Sequence, residues 1–283
     1  MTSRLLIIDS NALYNACYFA MQRNKLTAPN GFPTFAMYWF LNAINSAVLK
    51  VQPTYLLFTF DTKTSKNKNK SIYPQYKEGR PKKDPDFFVQ IEELKRLIPN
   101  LWFTIYESSF FEADDVIATV VHKHKNDFEE IFIHTNDSDL FQLINENTFI
   151  IRKDKVYDEL LFQLEFENDK FKPSHYVHYK SLVGDWSDNI NGINKVWPKT
   201  AMKLLQEVNF DLDELLKHPK VEPHKEIIER NLKLIGLEKE IEDIDIQKYI
   251  GAYNQQFVID WINTFNMKSL YGMKISWLTN QEY

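Results

Sequence analysis

Apolar residues in the first half of the chain fall into short unbroken runs, separated by longer stretches with helical spacing. Residues 5–8, 55–60, 102–106, 131–133 and 149–151 read as strands, apolar enough to be covered on both faces. Helix-like stretches start at about Ala12 and run over 34–50. Asp84-Pro85 reads as an N-cap followed by proline at the first helical position. Phe88, Ile91, Leu94, Leu97 and Ile98 then give one helical face, and Glu112 opens another helix through Val116, Ile117, Val120 and Val121. This alternation predicts an α/β fold with a mainly parallel central sheet flanked by helices. Beyond about residue 158 the pattern becomes helices joined by short loops. The chain therefore divides into an α/β part, 1–157, and a helical part, 158–283. Trp39, Phe40 and Leu41 with Ile44 read as core, and Trp261, Tyr271 and Trp277 as a C-terminal region packing back on the body.

Composition narrows the chemistry. A chain of 283 residues can bury a full core without disulfides, and its single cysteine, Cys17, fits a reducing compartment and a small buried residue. The longest apolar run, 35–41, is far short of the roughly 18 residues of a membrane span, so no membrane association is expected. Asp9 within the first apolar run argues against a secretory signal, which leaves the cytoplasm as the expected location. No two of the seven glycines are separated by one residue, which excludes a dinucleotide fingerprint, and no loop ends in Gly-Lys-Ser/Thr. The seven histidines are scattered, against a zinc site.

Charge is uneven. The net charge is −5, yet residues 62–83 hold eight basic residues (Lys63, Lys66, Lys68, Lys70, Lys77, Arg80, Lys82, Lys83) against Glu78 alone. That window is +7, leaving −12 elsewhere. A basic run can be a solvated loop; it can also contact a polyanion, with Tyr73 and Tyr76 interleaved to stack on bases.

The acidic residues supply the reason for such a segment. Ligands of an open parallel sheet bind at the carboxyl ends of its strands. Asp9, Asp61, and the pair Asp137 and Asp139 follow three of the expected strands, and Glu112, Asp114 and Asp115 sit in the turn after another. Taken singly, each has a structural explanation: a helix cap, a helix-dipole partner or an Asx turn. Packed together without cations they would repel. All-oxygen ligation suits Mg²⁺ or Mn²⁺, and two such ions could activate a water, bind a scissile phosphate and stabilise the leaving oxygen. Asp185 and Asp188, three apart, share a face farther on, and Pro198-Lys199-Thr200 opens an amphipathic helix whose free amides could receive a phosphate.

In order, these motifs resemble the 5′-nuclease (flap endonuclease) superfamily, most closely the bacterial and phage 5′–3′ exonucleases, including the N-terminal domain of DNA polymerase I. The carrying segments are 7–11, 60–61, 76–81, 111–116 (with Glu112-Ala113-Asp114-Asp115), 135–139 and 183–190. The resemblance implies a PIN-like nuclease core, a helical arch over 62–84 and a helix–hairpin–helix-like element at 183–206. It implies Asp9, Asp61, Glu112 and Asp114 as ligands of one metal ion, Asp137, Asp139, Asp185 and Asp188 as ligands of a second, and Asp115 as an additional inner carboxylate. Lys77 and Arg80 fall where the family has arch cations that polarise the scissile phosphate. Lys66, Lys68, Lys70, Tyr76, Lys82, Lys83, Lys195, Lys199 and Thr200 complete the expected DNA contacts.

The expected activity is a monomeric, divalent-metal-dependent 5′–3′ exonuclease with flap endonuclease activity, acting on DNA and on RNA–DNA hybrids. No polymerase region is present in the chain, so it would act alone or beside a separate polymerase. The family's hairpin carries Gly-x-Gly around a K⁺ ion; here those positions read Asn194-Lys195-Val196-Trp197. The family's arginine in the first helix has its counterpart near Asn15. The altered hairpin motivates one alternative, a non-catalytic protein that binds branched DNA. A phosphatase of the haloacid-dehalogenase kind is the other; it wants an aspartate two positions after Asp9, where Asn11 stands.

Overall fold

Leu5, Leu6, Ile7 and Ile8 are buried on both faces of their strand, which is possible only in the middle of a sheet covered by two layers. The computed structural model describes residues 2–23 and 26–271. Its first half runs β1 (Arg4–Asp9), α1 (Ser10–Met21), α2 (Phe35–Val51), β2 (Tyr55–Asp61), α3 (Asn67–Ile72), α4 (Pro85–Asn100), β3 (Thr104–Ser108), α5 (Ala113–His124), β4 (Glu130–His134), β5 (Thr148–Arg152) and β6 (Lys155–Tyr157). The second half runs α6 (Glu159–Glu165), α7 (Tyr176–Val183), β7 (Gly184–Asp185), β8 (Ile190–Asn191), α8 (Pro198–Glu207), α9 (Leu212–Lys217), α10 (Lys225–Ile235), β9 (Gln247–Tyr249) and α11 (Gln255–Thr264).

The main sheet has seven strands in the order β6-β5-β4-β1-β2-β3-β9. Its five central strands are parallel and its two edge strands antiparallel. Along β1 the side chains alternate between two cores. Leu6 and Ile8 join α1, α2, α4 and α11 on one face, and Leu5 and Ile7 join α5 and α7–α10 on the other. Strand order reverses at β1, between β4 and β2, so the crevice where ligands bind such sheets opens beside Asp9.

Several elements differ from the sequence pattern. The third strand begins at Thr104, because α4 runs to Asn100 and Trp102 turns the chain with φ +77°. The buried face of α4 starts at Phe87, with Phe88 53% exposed; Gln90, also buried, accepts the Ala36 amide at the uncapped start of α2. Trp39 faces outward while Phe40 and Ile44 are core. The second part of the chain is not wholly helical. β9 pairs with β3 at the sheet edge, and α11 crosses to the opposite face, where Trp261 is buried among residues of α2 and α4. Trp277 and the side chain of Tyr271 lie outside the described residues. Among the described residues of the arch only α3 is helical; turns and a run without regular structure lead from it to Asp84. Tyr76, with Ile72 and Tyr73, packs against Ile190, Leu234 and Ile235, so the base of the arch is anchored on the hairpin and α10.

The hairpin β7–β8 depends on Gly184, whose φ is +84° and whose missing Cβ would collide with Gly192 N and Ile190 O. Gly184→Ala is expected to destabilise the protein by about 2 kcal/mol or more, read from urea unfolding midpoints. An unchanged midpoint would show that the hairpin tolerates a different path.

Candidate active site

The bonds that build the strand ends also aim their carboxylates. Asp9 ends β1 and is buried; its Oδ1 accepts the Ala12 amide (3.2 Å) as the cap of α1, and its Oδ2 accepts the Thr135 hydroxyl (2.6 Å). Asp61 ends β2, donates its amide to Asn11 Oδ1 (3.0 Å), and accepts the Ala113 amide (2.8 Å) at the start of α5. Glu112 stands at the N-cap of α5, and Asp114 and Asp115 lie in its first turn. Asp137 forms an Asx turn, accepting the Asp139 amide (2.9 Å). The structural explanations open to the single residues are thus realised, and the same bonds hold the carboxylates at one edge.

Lysines stand between these carboxylates. Lys77 Nζ lies 2.5 Å from Glu112 and 3.7 Å from Asp188, and the Tyr76 hydroxyl donates toward the same two residues at 2.6 and 2.9 Å. Arg80 pairs with Asp188 and donates from Nε to Ser187 O (3.0 Å). Lys180 Nζ bridges Asp139 (3.0 Å) and Asp185 (2.5 Å). Asp9, Asp61, Asp114 and Asp137 belong to the same electrostatic group: Asp9 is repelled by Asp137 and Asp61, and Asp114 by Asp115, Glu112 and Asp137. Asp115 is directed elsewhere. Its Oδ1 accepts Lys68 Nζ (2.9 Å) and the Glu238 amide (2.7 Å), joining arch, α5 and the return of the C-terminal part.

Burial, then mutual repulsion, raises these acids. The carboxyls of Asp9 and Asp139 are pushed up to about 7, and those of Asp61 and Asp114 are also raised. Asp185 moves the other way: burial pushes it up, but Lys180 and Ser187 outweigh this and hold it below the usual range. Lys77 and Lys180, which burial alone would lower, are raised by the carboxylates around them.

The basic window divides in two. Lys68, Lys77 and Arg80 are bound to carboxylates, while Lys70 and Lys82 are exposed and Lys66 half-buried. Lys83 differs from all of these. Its Nζ donates to Asn15 Oδ1 (2.6 Å) and lies 3.8 Å over the Phe87 ring, with no carboxylate partner among the described residues. Burial, with Arg80 and Lys77 nearby, lowers its ammonium to about 8. The expectation that Tyr76 stacks on bases does not hold: its ring is 2% exposed and its hydroxyl is committed to Glu112 and Asp188. Tyr73 lies under the Arg230 guanidinium at 4.6 Å. On the hairpin side Lys195 and Lys199 are exposed and Thr200 is half-buried. Cys17 is half-buried against the core, and burial pushes its thiol up to about 11.

Sequence reasoning missed the polar residues that hold this arrangement: Asn11, Thr135, Asn69 (donating to Glu112 at 3.1 Å), Ser187 and above all Lys180. A lysine in the last turn of the helix that ends at Gly184-Asp185 was the available signal for Lys180.

The donor set fits hard divalent cations, being carboxylate oxygen throughout. Asp139 Oδ1 is buried without a directed hydrogen bond, with the Lys180 ammonium 3.0 Å away. Among the described residues, however, no three Asp, Glu, His or Cys side chains stand close enough to enclose an ion. Lys77 and Lys180 take the central positions, where an ion would compete with them.

Residues 4–172 match the family described as 5′–3′ exonuclease, N-terminal resolvase-like domain, and residues 171–261 its C-terminal SAM fold. The chain is 34% identical over 253 residues to a 5′–3′ exonuclease of Aquifex aeolicus, covering 86% of this chain and 83% of that protein. It is 34% identical over 212 residues to DNA polymerase I of Lactococcus lactis, covering 72% of this chain but only 24% of that protein's length. In fold it is similar to the flap endonuclease of bacteriophage T5 solved with DNA and metal ions (TM-score 0.70, 16% identity, 98% of this chain and 100% of that one). A flap endonuclease of Methanococcus jannaschii is also similar (TM-score 0.61, 16% identity, 99% and 92%).

Two stability measurements follow from these charges. Asp9 and Asp139 bind more protons folded than unfolded between the ordinary carboxylate range and about pH 7, so ion-free stability falls as pH rises through that window. The melting temperature without ions should be higher at pH 5.5 than at pH 8, and Mg²⁺ or Mn²⁺ should recover the loss; equal melting at both pH values would contradict the burial of these acids. Lys83→Met removes an unpaired, half-buried charge, and is expected to stabilise the protein at pH 7 by about 1 kcal/mol after allowance for solvent screening. That is roughly 2 °C in melting temperature.

Proposed function

Because the chain belongs to the 5′–3′ exonuclease family, we propose that it is a divalent-metal-dependent nuclease that hydrolyses DNA from 5′ ends and cuts 5′ flaps. One observation carries the reading. Carboxylates from β1, β2, α5, the loop after β4 and the turn after β7 act on one another electrostatically, and Lys77 and Arg80 of the basic segment pair with two of them.

Asp9, Asp61, Glu112 and Asp114 would hold one ion and Asp137, Asp139, Asp185 and Asp188 the other. Bound there, such ions supply charge neutralisation and activation of a water for in-line attack on phosphorus, with the 3′-oxygen leaving. Lys77 and Arg80 would then turn from carboxylate to scissile phosphate and stabilise the charge that develops on its oxygens. Lys83 supports a phosphate ligand most directly, since a desolvated ammonium without a carboxylate is satisfied by an incoming anion. The exposed Lys70 and Lys82, with Lys66, would draw the strand toward the arch. Duplex DNA would lie against Lys195 and Lys199, its phosphate meeting the start of α8, where Trp197 gives no side-chain cap.

We further propose Mg²⁺ or Mn²⁺ as the ions, DNA and RNA–DNA hybrids as substrates, and a monomer in the cytoplasm. No described helix is long and apolar enough to cross a membrane. At the hairpin, the exposed Lys195, with φ +65°, brings its own positive charge to the turn and disfavours a K⁺ ion there.

The test is cleavage of 5′-labelled flap, nicked and single-stranded DNA with Mg²⁺ or Mn²⁺, and with a chelator. Metal-dependent release of 5′ fragments is expected; binding without cleavage would instead support the branched-DNA binder. Asp114→Ala should lower the cleavage rate by about a thousandfold or more with binding within a few-fold, on the scale of losing one essential electrostatic group. Lys77→Met and Arg80→Met should slow the cleavage step more than they weaken binding; equal losses would reduce them to phosphate contacts.

A further inference from the structure

Trp186 is 92% exposed, the most exposed of the described large hydrophobic side chains. It sits in the short turn between Asp185 and Asp188, two of the acids at the site. Among the described residues no ring or cation lies against it, so the fold gains nothing from an indole there.

Its backbone, by contrast, is held from several directions. The Asp185 carboxylate accepts the Ser187 amide (2.8 Å) and hydroxyl (2.7 Å) and is paired with Lys180. Ser187 O accepts Arg80 Nε, Asp188 O accepts the Lys77 amide (2.9 Å), and the Asn189 side chain donates to Gln75 O (2.9 Å). The turn is thus a fixed mount that projects a free aromatic face. Such a ring has only two side-chain torsions to order and loses little entropy on contact.

We infer that Trp186 is a stacking platform for one nucleobase of the strand being cut, next to the phosphate that Lys77 and Arg80 would engage. The inference rests on the nuclease reading and names a substrate contact within it. Among the parts of a nucleotide, the base is the one that an indole flanked by aspartates would take: it is uncharged and has a π face, whereas a phosphate would be repelled by Asp185 and Asp188. Every base has such a face, so the contact tolerates all sequences and favours purines for their larger overlap.

The experiment places an abasic analogue, one position at a time, on either side of the cleaved bond of a flap substrate. Apparent KM and single-turnover rate with Mn²⁺ are measured for wild type, Trp186→Ala and Trp186→Phe. Binding of the same strands is followed by fluorescence anisotropy in chelator. Wild type should lose about 5- to 100-fold in binding at one position. Trp186→Ala should lose the same factor on the intact substrate, mainly in KM, and become indifferent to the abasic site there. Trp186→Phe should retain most of the contact. A Trp186→Ala variant that binds intact substrate like wild type, or keeps the wild-type abasic profile, would overturn the inference. Failure of wild type to cut any substrate would overturn the nuclease reading itself, and this inference with it.

Discussion

The structure is organised around a concentration of negative charge that water cannot fully screen. Acids from several elements come together at one sheet edge, and Asp9, Asp61, Asp114 and Asp139 pay a desolvation cost that neighbouring carboxylates increase. The chain answers with its own cations. Lys77 lies between Glu112 and Asp188, Lys180 between Asp139 and Asp185, and Lys68 covers Asp115. Without these ammonium groups the edge would expel its carboxylates or protonate them.

This compensation couples parts of the chain that are far apart in sequence. Glu112 belongs to the α/β layer and Asp188 to the hairpin; Tyr76 and Lys77 of the arch bond to both. Asp115 ties the arch, through Lys68, to the backbone of Glu238, where the chain begins its return to β9 and α11. The arch is therefore closed by the same ion pairs that a substrate phosphate and cations would compete for. Closure and loading draw on one set of charges, and a change in either shifts the other.

Much of this was legible along the chain. The apolar runs marked all five parallel strands, since burial on both faces leaves few polar positions in them, and the aspartates ending two of the runs marked the carboxyl edge. Glu112 and Asp115 could be picked out because an acidic turn before an apolar helix stands out from its surroundings. Phe87 and Phe88 could not be told apart by spacing, as either completes the face of α4; only packing against Tyr14 and Tyr18 selects Phe87. Tyr76 was misread for a similar reason. In a basic run a tyrosine suggests stacking on bases, and nothing local reveals that its hydroxyl is needed between two acids.

By itself, then, the sequence determined the layered sheet, the order of its acidic strand ends and the presence of a basic segment between two of them. These follow from residue type and short-range periodicity, which act within a few residues. Only the tertiary structure decided which cation answers which acid, that Lys180 and Thr135 belong to the site, and that β9 and α11 return to the sheet from late in the chain. Such pairings join residues five to well over a hundred positions apart, and they are selected by the three-dimensional balance of charge, burial and packing.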